Sequence, residues 1–355
     1  MVMKTYLIAT IPGDGIGREV IPVGTRVVDT VAARFGFSVE WTSFDWSCER
    51  YHRVGRMMPE DGIEQIKAFD SIYLGAVGYP GVPDHVSLWG LLIPLRRELD
   101  QYANIRPVRL LRGITSPLAG RGPADIDFVV VRENVEGEYS EIGGRIYQGT
   151  EHEAAIQESV LTRQGTDRIM DYAFQLAKTR QRKHLTSATK SNGIIHTMPF
   201  WDERFEAASA RHPEVETSQF HIDILTAHFV LHPDWFDVVV ASNLFGDILS
   251  DLGPAVAGSI GIAPSANINP ERRFPSMFEP VHGSAPDIAG KGIANPVAAV
   301  WTAAMMLDHL GEAEAARAIE QAIEVSLETL QTRTRDLGGT ADTRGSEAAI
   351  IDALR

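Results

Sequence analysis

Two runs of β-branched residues constrain the fold more than any other feature of this chain: Ile126-Asp-Phe-Val-Val-Val-Arg-Glu-Asn and Trp235-Phe-Asp-Val-Val-Val-Ala-Ser-Asn. A strand with one wet face alternates apolar and polar residues, whereas a continuous apolar run suits a strand covered on both faces, as in α/β sheets. Each run ends abruptly in polar groups, and ligands in open α/β sheets gather beyond the carboxyl ends of strands. Arg132, Glu133, Asn134, Ser242 and Asn243 therefore stand where a site is expected. Around these runs, strand patterns alternate with helical ones: Tyr6 to Ile11, a helix near Arg18 to Phe35, Ser71 to Leu74, and a helix around Leu88 to Gln101. That alternation predicts an α/β fold. The stretch Glu136 to Thr162, with Gly143-Gly144 inside it, predicts a hairpin arm outside the compact body. Asn295 to Leu310 and Glu312 to Leu330 read as helices.

Composition narrows the function classes. At 355 residues, the chain is long enough for two domains with sizeable cores. The single Cys48 rules out an internal disulfide and a thiolate zinc site, and it fits a reducing compartment. The first residues carry no basic n-region or long apolar h-region, and no apolar run approaches the roughly 20 residues that span a bilayer. The expectation is a cytoplasmic protein without membrane contact. A formal net charge of −14 argues against a nucleic-acid surface, though not against a small anionic substrate held by a few concentrated arginines.

Five stretches carry chemistry. Gly13-Asp-Gly-Ile-Gly-Arg-Glu follows a strand but fails the dinucleotide fingerprint, since Arg18 stands where its third glycine belongs. It reads equally as a structural strand-to-helix turn. Asn243-Leu-Phe-Gly-Asp-Ile-Leu-Ser-Asp-Leu, if helical, puts Asp247 and Asp251 on one face. There they are either solvated acids near a helix start or two hard oxygen ligands for Mg²⁺ or Mn²⁺, with Asp223, an acid in a strand-like apolar run, as a third donor. Arg96, Arg106 and Arg132 are either halves of ion pairs or a bidentate grip for carboxylates. Lys190 and Tyr139 are either an exposed lysine and a packed tyrosine or an acid–base pair, the lysine needing nearby positive charge to lower its pKa. Finally, Phe278-Glu-Pro-Val-His-Gly-Ser-Ala-Pro-Asp-Ile-Ala-Gly-Lys-Gly-Ile-Ala-Asn-Pro is an ordered loop, structural or suited to anion and nucleotide contact.

Taken together and in this order, the five stretches resemble the metal-dependent β-decarboxylating dehydrogenases, the isocitrate/isopropylmalate dehydrogenase family. The resemblance implies that family's two-domain α/β fold, which is not a Rossmann fold. Residues 1–101 with 257–355 would form a large cofactor-binding domain, and 102–256 a small domain carrying the dimer interface and an arm at about 137–162. It makes Arg96, Arg106 and Arg132 a substrate clamp, and Asp247 and Asp251 ligands for Mn²⁺ or Mg²⁺, completed by Asp223 from the other chain of a homodimer with shared active sites. Lys190, also from the other chain, becomes the base and Tyr139 the acid. The NAD loop would comprise His282, Gly283, Ser284, Ala285, Asp287, Ile288 and Asn295, with Asn192 near the nicotinamide. Asp287 facing the adenosine ribose implies NAD rather than NADP. A monovalent cation such as K⁺ is an accessory expectation.

Isocitrate enzymes of this kind carry Ser and Asn six and four residues before the first clamp arginine, where this chain has Gly90 and Leu92. Val82-Pro-Asp-His-Val-Ser-Leu-Trp-Gly instead resembles the tartrate and D-malate dehydrogenases. The expected activity is NAD-dependent oxidation, with metal-assisted β-decarboxylation, of a small 2-hydroxy dicarboxylate. The alternatives are 3-isopropylmalate oxidation and, in another class, an inactive dimeric regulator on the same fold.

Overall fold

A computed structural model describes residues 4–355. Ten strands form one mixed sheet, and two more form a separate hairpin. In chain order the strands are β1 Lys4–Gly13, β2 Phe37–Ser43, β3 Ser71–Ala76, β4 Ala103–Arg109, β5 Asp127–Glu133, β6 Gly143–Ile146, β7 Ala154–Gln157, β8 His184–Thr189, β9 Glu216–His221, β10 Val238–Ala241, β11 Pro264–Ile268 and β12 Ser276–Pro280. The large sheet runs β2-β1-β3-β12-β11-β4-β5-β10-β8-β9. Its two outer portions are parallel. Its centre is not, because β11 pairs antiparallel with both β12 and β4, and β4 pairs antiparallel with β5.

The two β-branched runs lie side by side. Val129, Val130, Val131 and Arg132 of β5 pair in parallel with Val238, Val239, Val240 and Ala241 of β10. The valines are buried among Phe128, Phe174, Leu185 and Phe229 in a core that continues under both halves of the sheet. Burying such side chains contributes roughly 1.5–3 kcal/mol each, which is why both faces of these strands must be covered. β10 begins later than the sequence suggests: Pro233–Trp235 is a 3₁₀ turn, with Trp235 42% exposed.

Two other expectations change in detail. The Leu88-to-Gln101 helix is a composite of Asp84–Ser87, a π-helical turn at Leu88–Leu92 and Ile93–Glu98. Single π turns recur at functional sites because they rotate side chains off the α-helical register. The apolar run holding Asp223 is not a strand: Asp223 sits in the first turn of the helix Ile222–Leu231. Tertiary packing of Leu225 and Phe229 into the core overrides the local β preference, and an acid at the helix start suits the dipole.

The arm is a hairpin. β6 pairs with β7 antiparallel, a further bridge joins Gly137 to Val160, and every residue of both strands is exposed. Among the described residues no helix is long and apolar enough to cross a membrane.

Candidate active site

Three arginines from three elements converge on one cleft of about 220 Å³. Arg96 comes from the helix Ile93–Glu98, Arg106 from β4 and Arg132 from the carboxyl end of β5. None is more than 7% exposed. Burying guanidinium groups is costly unless each is bonded, and each is braced inside the chain. Arg132 donates to Asn243 Oδ1 at 2.7 and 3.0 Å and pairs with Asp247. Arg106 donates to Asn104 Oδ1 at 2.9 Å and to Ser250 Oγ at 2.8 Å. Arg96 pairs with Glu279 at 2.9 Å, while its Nε has no partner. Burial, aided by the other two arginines, pushes Arg132 down to about 10, so the cleft holds a concentrated positive charge that still favours an anion.

Sequence reasoning missed what holds this cluster. Glu279 on β12 accepts from Asn267 Nδ2 at 2.8 Å; Asn267 Oδ1 accepts from Asn104 at 3.0 Å and from Asn134 at 2.9 Å. This buried relay crosses β12, β11, β4 and the end of β5, and a fully bonded polar network in a low-dielectric core fixes side-chain positions. Glu279 lies inside the quoted Phe278-Glu-Pro stretch. Nothing local in sequence singles it out, because its partners are distant in the chain.

The Asn243–Val256 helix is present, so Asp247 and Asp251 do share a face. Gly246 is what lets this helix approach Arg132: a Cβ there would stand 2.5 Å from the Arg132 Cβ. The helix start is capped from afar, by Glu138 accepting from the Leu244 N–H at 3.0 Å and from Ser242 Oγ at 2.7 Å. Asp247 accepts from the Tyr139 hydroxyl at 2.7 Å, and Arg106 stands 3.9 Å from Asp247 and 3.7 Å from Asp251. Burial would raise the Asp247 carboxyl, but Arg132, Arg106 and the Tyr139 hydrogen bond outweigh it and keep it ionised. Asp251 is raised instead, chiefly by burial and then by Asp247. Burial and the Asp247 bond push Tyr139 up to about 12, so its hydroxyl stays protonated at neutral pH. The Arg132 guanidinium lies 5.4 Å from the Tyr139 ring centre.

The loop after β12 opens onto the same cleft, since His282 and Gly283 line it beside Arg96 and Arg132. Burial lowers the His282 pKa and leaves a neutral ring, with Nδ1 3.0 Å from the Gly283 carbonyl and Nε2 without a partner. Ser284 is buried, Ala285 adopts a left-handed φ of 41°, and Asp287 is exposed. Ile288 packs against Ile16 and Val20. Asn295 donates to Asp336 at 2.9 Å and accepts from the Val297 N–H at 3.0 Å.

The Gly13 turn has a definite role here. At φ 53°, Gly15 passes so close to the loop that a Cβ would fall 2.0 Å from the Ser284 carbonyl, and the Ile16 N–H donates to that carbonyl at 2.9 Å. Glu19 then accepts from the Gly290 and Gly292 N–H groups at 2.6 and 2.9 Å. The turn is structural, and what it supports is the loop.

Lys190 and Asp223 do not join the cleft of their own chain. They pair with each other at 2.9 Å, Asp223 being 68% exposed and lowered by that bond. Asn192 lies exposed in the turn that follows Lys190. Among the described residues no cluster of three His, Cys, Asp or Glu side chains could hold a metal.

Comparison with known proteins gives this geometry a family. The pattern described as isocitrate/isopropylmalate dehydrogenase matches residues 7–354. The D-malate dehydrogenase (decarboxylating) of Escherichia coli is 64% identical over 88% of this chain and 87% of its own length. The tartrate dehydrogenase/decarboxylase of Pseudomonas putida is 57% identical over 100% and 99%. Among solved structures, the isocitrate dehydrogenase of Methylococcus capsulatus superposes with a TM-score of 0.90 at 34% identity, covering 99% of both chains. With that pattern running over nearly its whole length, the chain belongs to the isocitrate/isopropylmalate dehydrogenase family of enzymes.

Proposed function

We propose that the protein oxidises a small 2-hydroxy dicarboxylic acid with NAD, D-malate or tartrate, and decarboxylates the β-keto acid formed, in the cytoplasm and as a homodimer with shared sites. The observation that carries this reading is the convergence of three buried arginines with Asp247 and Tyr139 at the mouth of the loop holding His282 and Gly283. Two relatives whose names state these substrates support it. Residue 90 argues against isocitrate: a side chain there would meet Met57 Cγ at 2.7 Å, so a serine has no room without repacking.

Asp247 and Asp251 offer hard oxygen donors on one helical face, suited to Mn²⁺ or Mg²⁺. Asp223 of the partner subunit would complete the set. Dimer formation is supported by apolar side chains exposed on the two helices concerned: Ile224, Val230 and Leu231 on one, Ile248 on the other. A cation bound there would stabilise negative charge developing on the substrate, and NAD would accept the hydride. Arg96, Arg106 and Arg132 orient the carboxylates, with the unpartnered Arg96 Nε a free donor. Lys190 of the partner subunit takes the C2 hydroxyl proton as hydride leaves C2. Loss of CO₂ from the keto acid leaves an enolate, whose carbon takes a proton by way of the Tyr139 hydroxyl. For D-malate and NAD⁺ the sum is pyruvate, CO₂ and NADH. In this reading the chain divides into 1–101 with 257–355 and 102–256, and the cleft would lie where the two meet.

The second reading, 3-isopropylmalate, is favoured by Leu88 and Leu92, apolar side chains that line the cleft. Absorbance at the NADH band with Mn²⁺, NAD and a panel of D-malate, L-tartrate, meso-tartrate and 3-isopropylmalate separates them. Turnover of D-malate or a tartrate at far greater kcat/KM than 3-isopropylmalate is expected; the reverse order overturns the assignment, and no turnover of any favours an inactive regulator.

A further inference from the structure

A second cleft, of about 350 Å³, lies at the opposite end of the sheet from the arginine site. β1, β3 and β12 are neighbours that run parallel, and their carboxyl ends, at Gly13, Ala76 and Pro280, lie by the arginine cleft. Their amino ends, at Lys4, Ser71 and Ser276, frame the second cleft. It is therefore a separate place on the molecule.

Its walls carry Lys4, Lys67, Arg272 and Arg273 against a single carboxylate, Asp70. In a chain of net charge −14 that is a local reversal of sign. Two of the four cations are satisfied: Lys67 pairs with Glu64, and Arg273 with Asp100 at 3.4 Å. Among the described residues, Lys4 and Arg272 have no carboxylate within salt-bridge range. Lys4 Nζ instead stands 4.4 Å over the Tyr6 ring, whose hydroxyl is spent on Glu312 at 2.6 Å. Asp70 is engaged too, accepting from the Leu7 N–H at 2.8 Å.

Arg272 is also held in an unfavourable backbone conformation, a left-handed φ of 54°. The surrounding turn imposes it. The Arg272 N–H donates to the Asn269 carbonyl at 2.9 Å, and Asn269 Oδ1 accepts from the Arg273 and Phe274 N–H groups at 2.7 and 3.3 Å. The turn thereby fixes the direction in which the Arg272 side chain leaves the backbone. His309 at the back of the cleft is pushed down to about 4, by burial and then by Arg272, so the positive charge comes from lysine and arginine alone.

We propose that this cleft binds a small polyanion bearing phosphate or carboxylate groups, gripped by Arg272 and Lys4 and seated against Phe274 and Tyr6. A guanidinium paired with an ammonium across such a space is the arrangement that recognises a compact dianion. The occupant is not the substrate of the arginine cleft.

Calorimetric titration of the full-length protein with pyrophosphate and, separately, citrate tests this and distinguishes the phosphate source from the carboxylate one. Arg272→Gly removes the guanidinium while relieving the left-handed φ, so folding is preserved. The expected result is binding of at least one probe, weakened at least about tenfold in Arg272→Gly and about threefold in Lys4→Ala. Probe bound at the arginine cleft would be insensitive to both substitutions. Failure of both probes to bind the wild type at millimolar concentration, or equal binding by wild type and Arg272→Gly, overturns the proposal. Should Arg272→Gly misfold, Lys4→Ala decides in the same way.

Discussion

Around the arginine cleft every cation is buried and braced within one chain, whereas Lys190 and Asp223 stand nearer the surface, paired with each other. A group held by the core can be placed to within the precision that chemistry needs. A group on a surface helix or turn gains such precision only when something covers it. The helix that carries Asp223 also carries the exposed apolar side chains Ile224 and Leu231, and the turn after Lys190 carries Ile194 and Ile195. The contrast is what the proposed shared site requires: the clamp, Asp247 and Asp251 are set within one chain, while Lys190 and Asp223 face outward, where a second copy would meet them.

Substitutions that act differently on the two regions sharpen this. Lys190→Ala should lower oxidation of the hydroxy acid by roughly 10²–10⁴-fold, the range for removal of a general base, yet leave decarboxylation of added oxaloacetate measurable. Tyr139→Phe should impair chiefly that later protonation. Equal loss of both half-reactions in both variants would break the division of roles. Asp251→Asn should cost at least about a hundredfold in kcat with an unchanged thermal midpoint, since it removes an anionic donor at a side chain 64% exposed and little else. A rate near wild type in saturating Mn²⁺ would remove this helix from the metal site.

A smaller effect is expected at Asp287, exposed in the loop after β12, which in the proposed reading accepts from both ribose hydroxyls of NAD. A 2′-phosphate there meets a carboxylate, so NAD should be preferred by more than about a hundredfold, and Asp287→Lys should narrow the gap. The companion change Ile288→Tyr disturbs packing on Ile16 and Val20, so the single substitution is the cleaner probe. Wild-type efficiencies within a few-fold for the two cofactors would refute the assignment. Smallest of all, Glu19→Gln weakens the acceptor that holds the Gly290 and Gly292 amides, and should raise KM for NAD about five- to tenfold with kcat little changed. An unaltered KM would mean that the loop is ordered without Glu19.

Much of this was legible in the sequence. The two valine-rich runs are strands, ending at Glu133 and Ala241 beside the polar groups that follow, because complete burial leaves a continuous apolar signal. Asp247 and Asp251 at one-turn spacing needed only the helix that their surroundings implied. The antiparallel centre formed by β11 and β4 was not legible, since pairing between residues some 160 apart leaves no local trace. For the same reason the relay through Asn104, Asn267 and Glu279 went unread. The segment with Asp223 was misread as strand, because Ile, Leu and Val suit either state and only the burial of Leu225 and Phe229 decides between them.

The most direct test of the proposed sharing of the site is complementation between two inactive variants. Lys190→Ala and Arg132→Lys, each inactive alone, are co-expressed in one cell and purified together, and NADH production is measured with Mn²⁺ and the best substrate. If the site is shared as proposed, the clamp of the Lys190→Ala chain in a mixed dimer faces the intact Lys190 of its partner. Random assembly makes half of the dimers mixed with one intact site in each, so roughly a quarter of wild-type activity should return. No recovery, with mixed dimers shown to be present by mass, would mean that Lys190 serves its own chain.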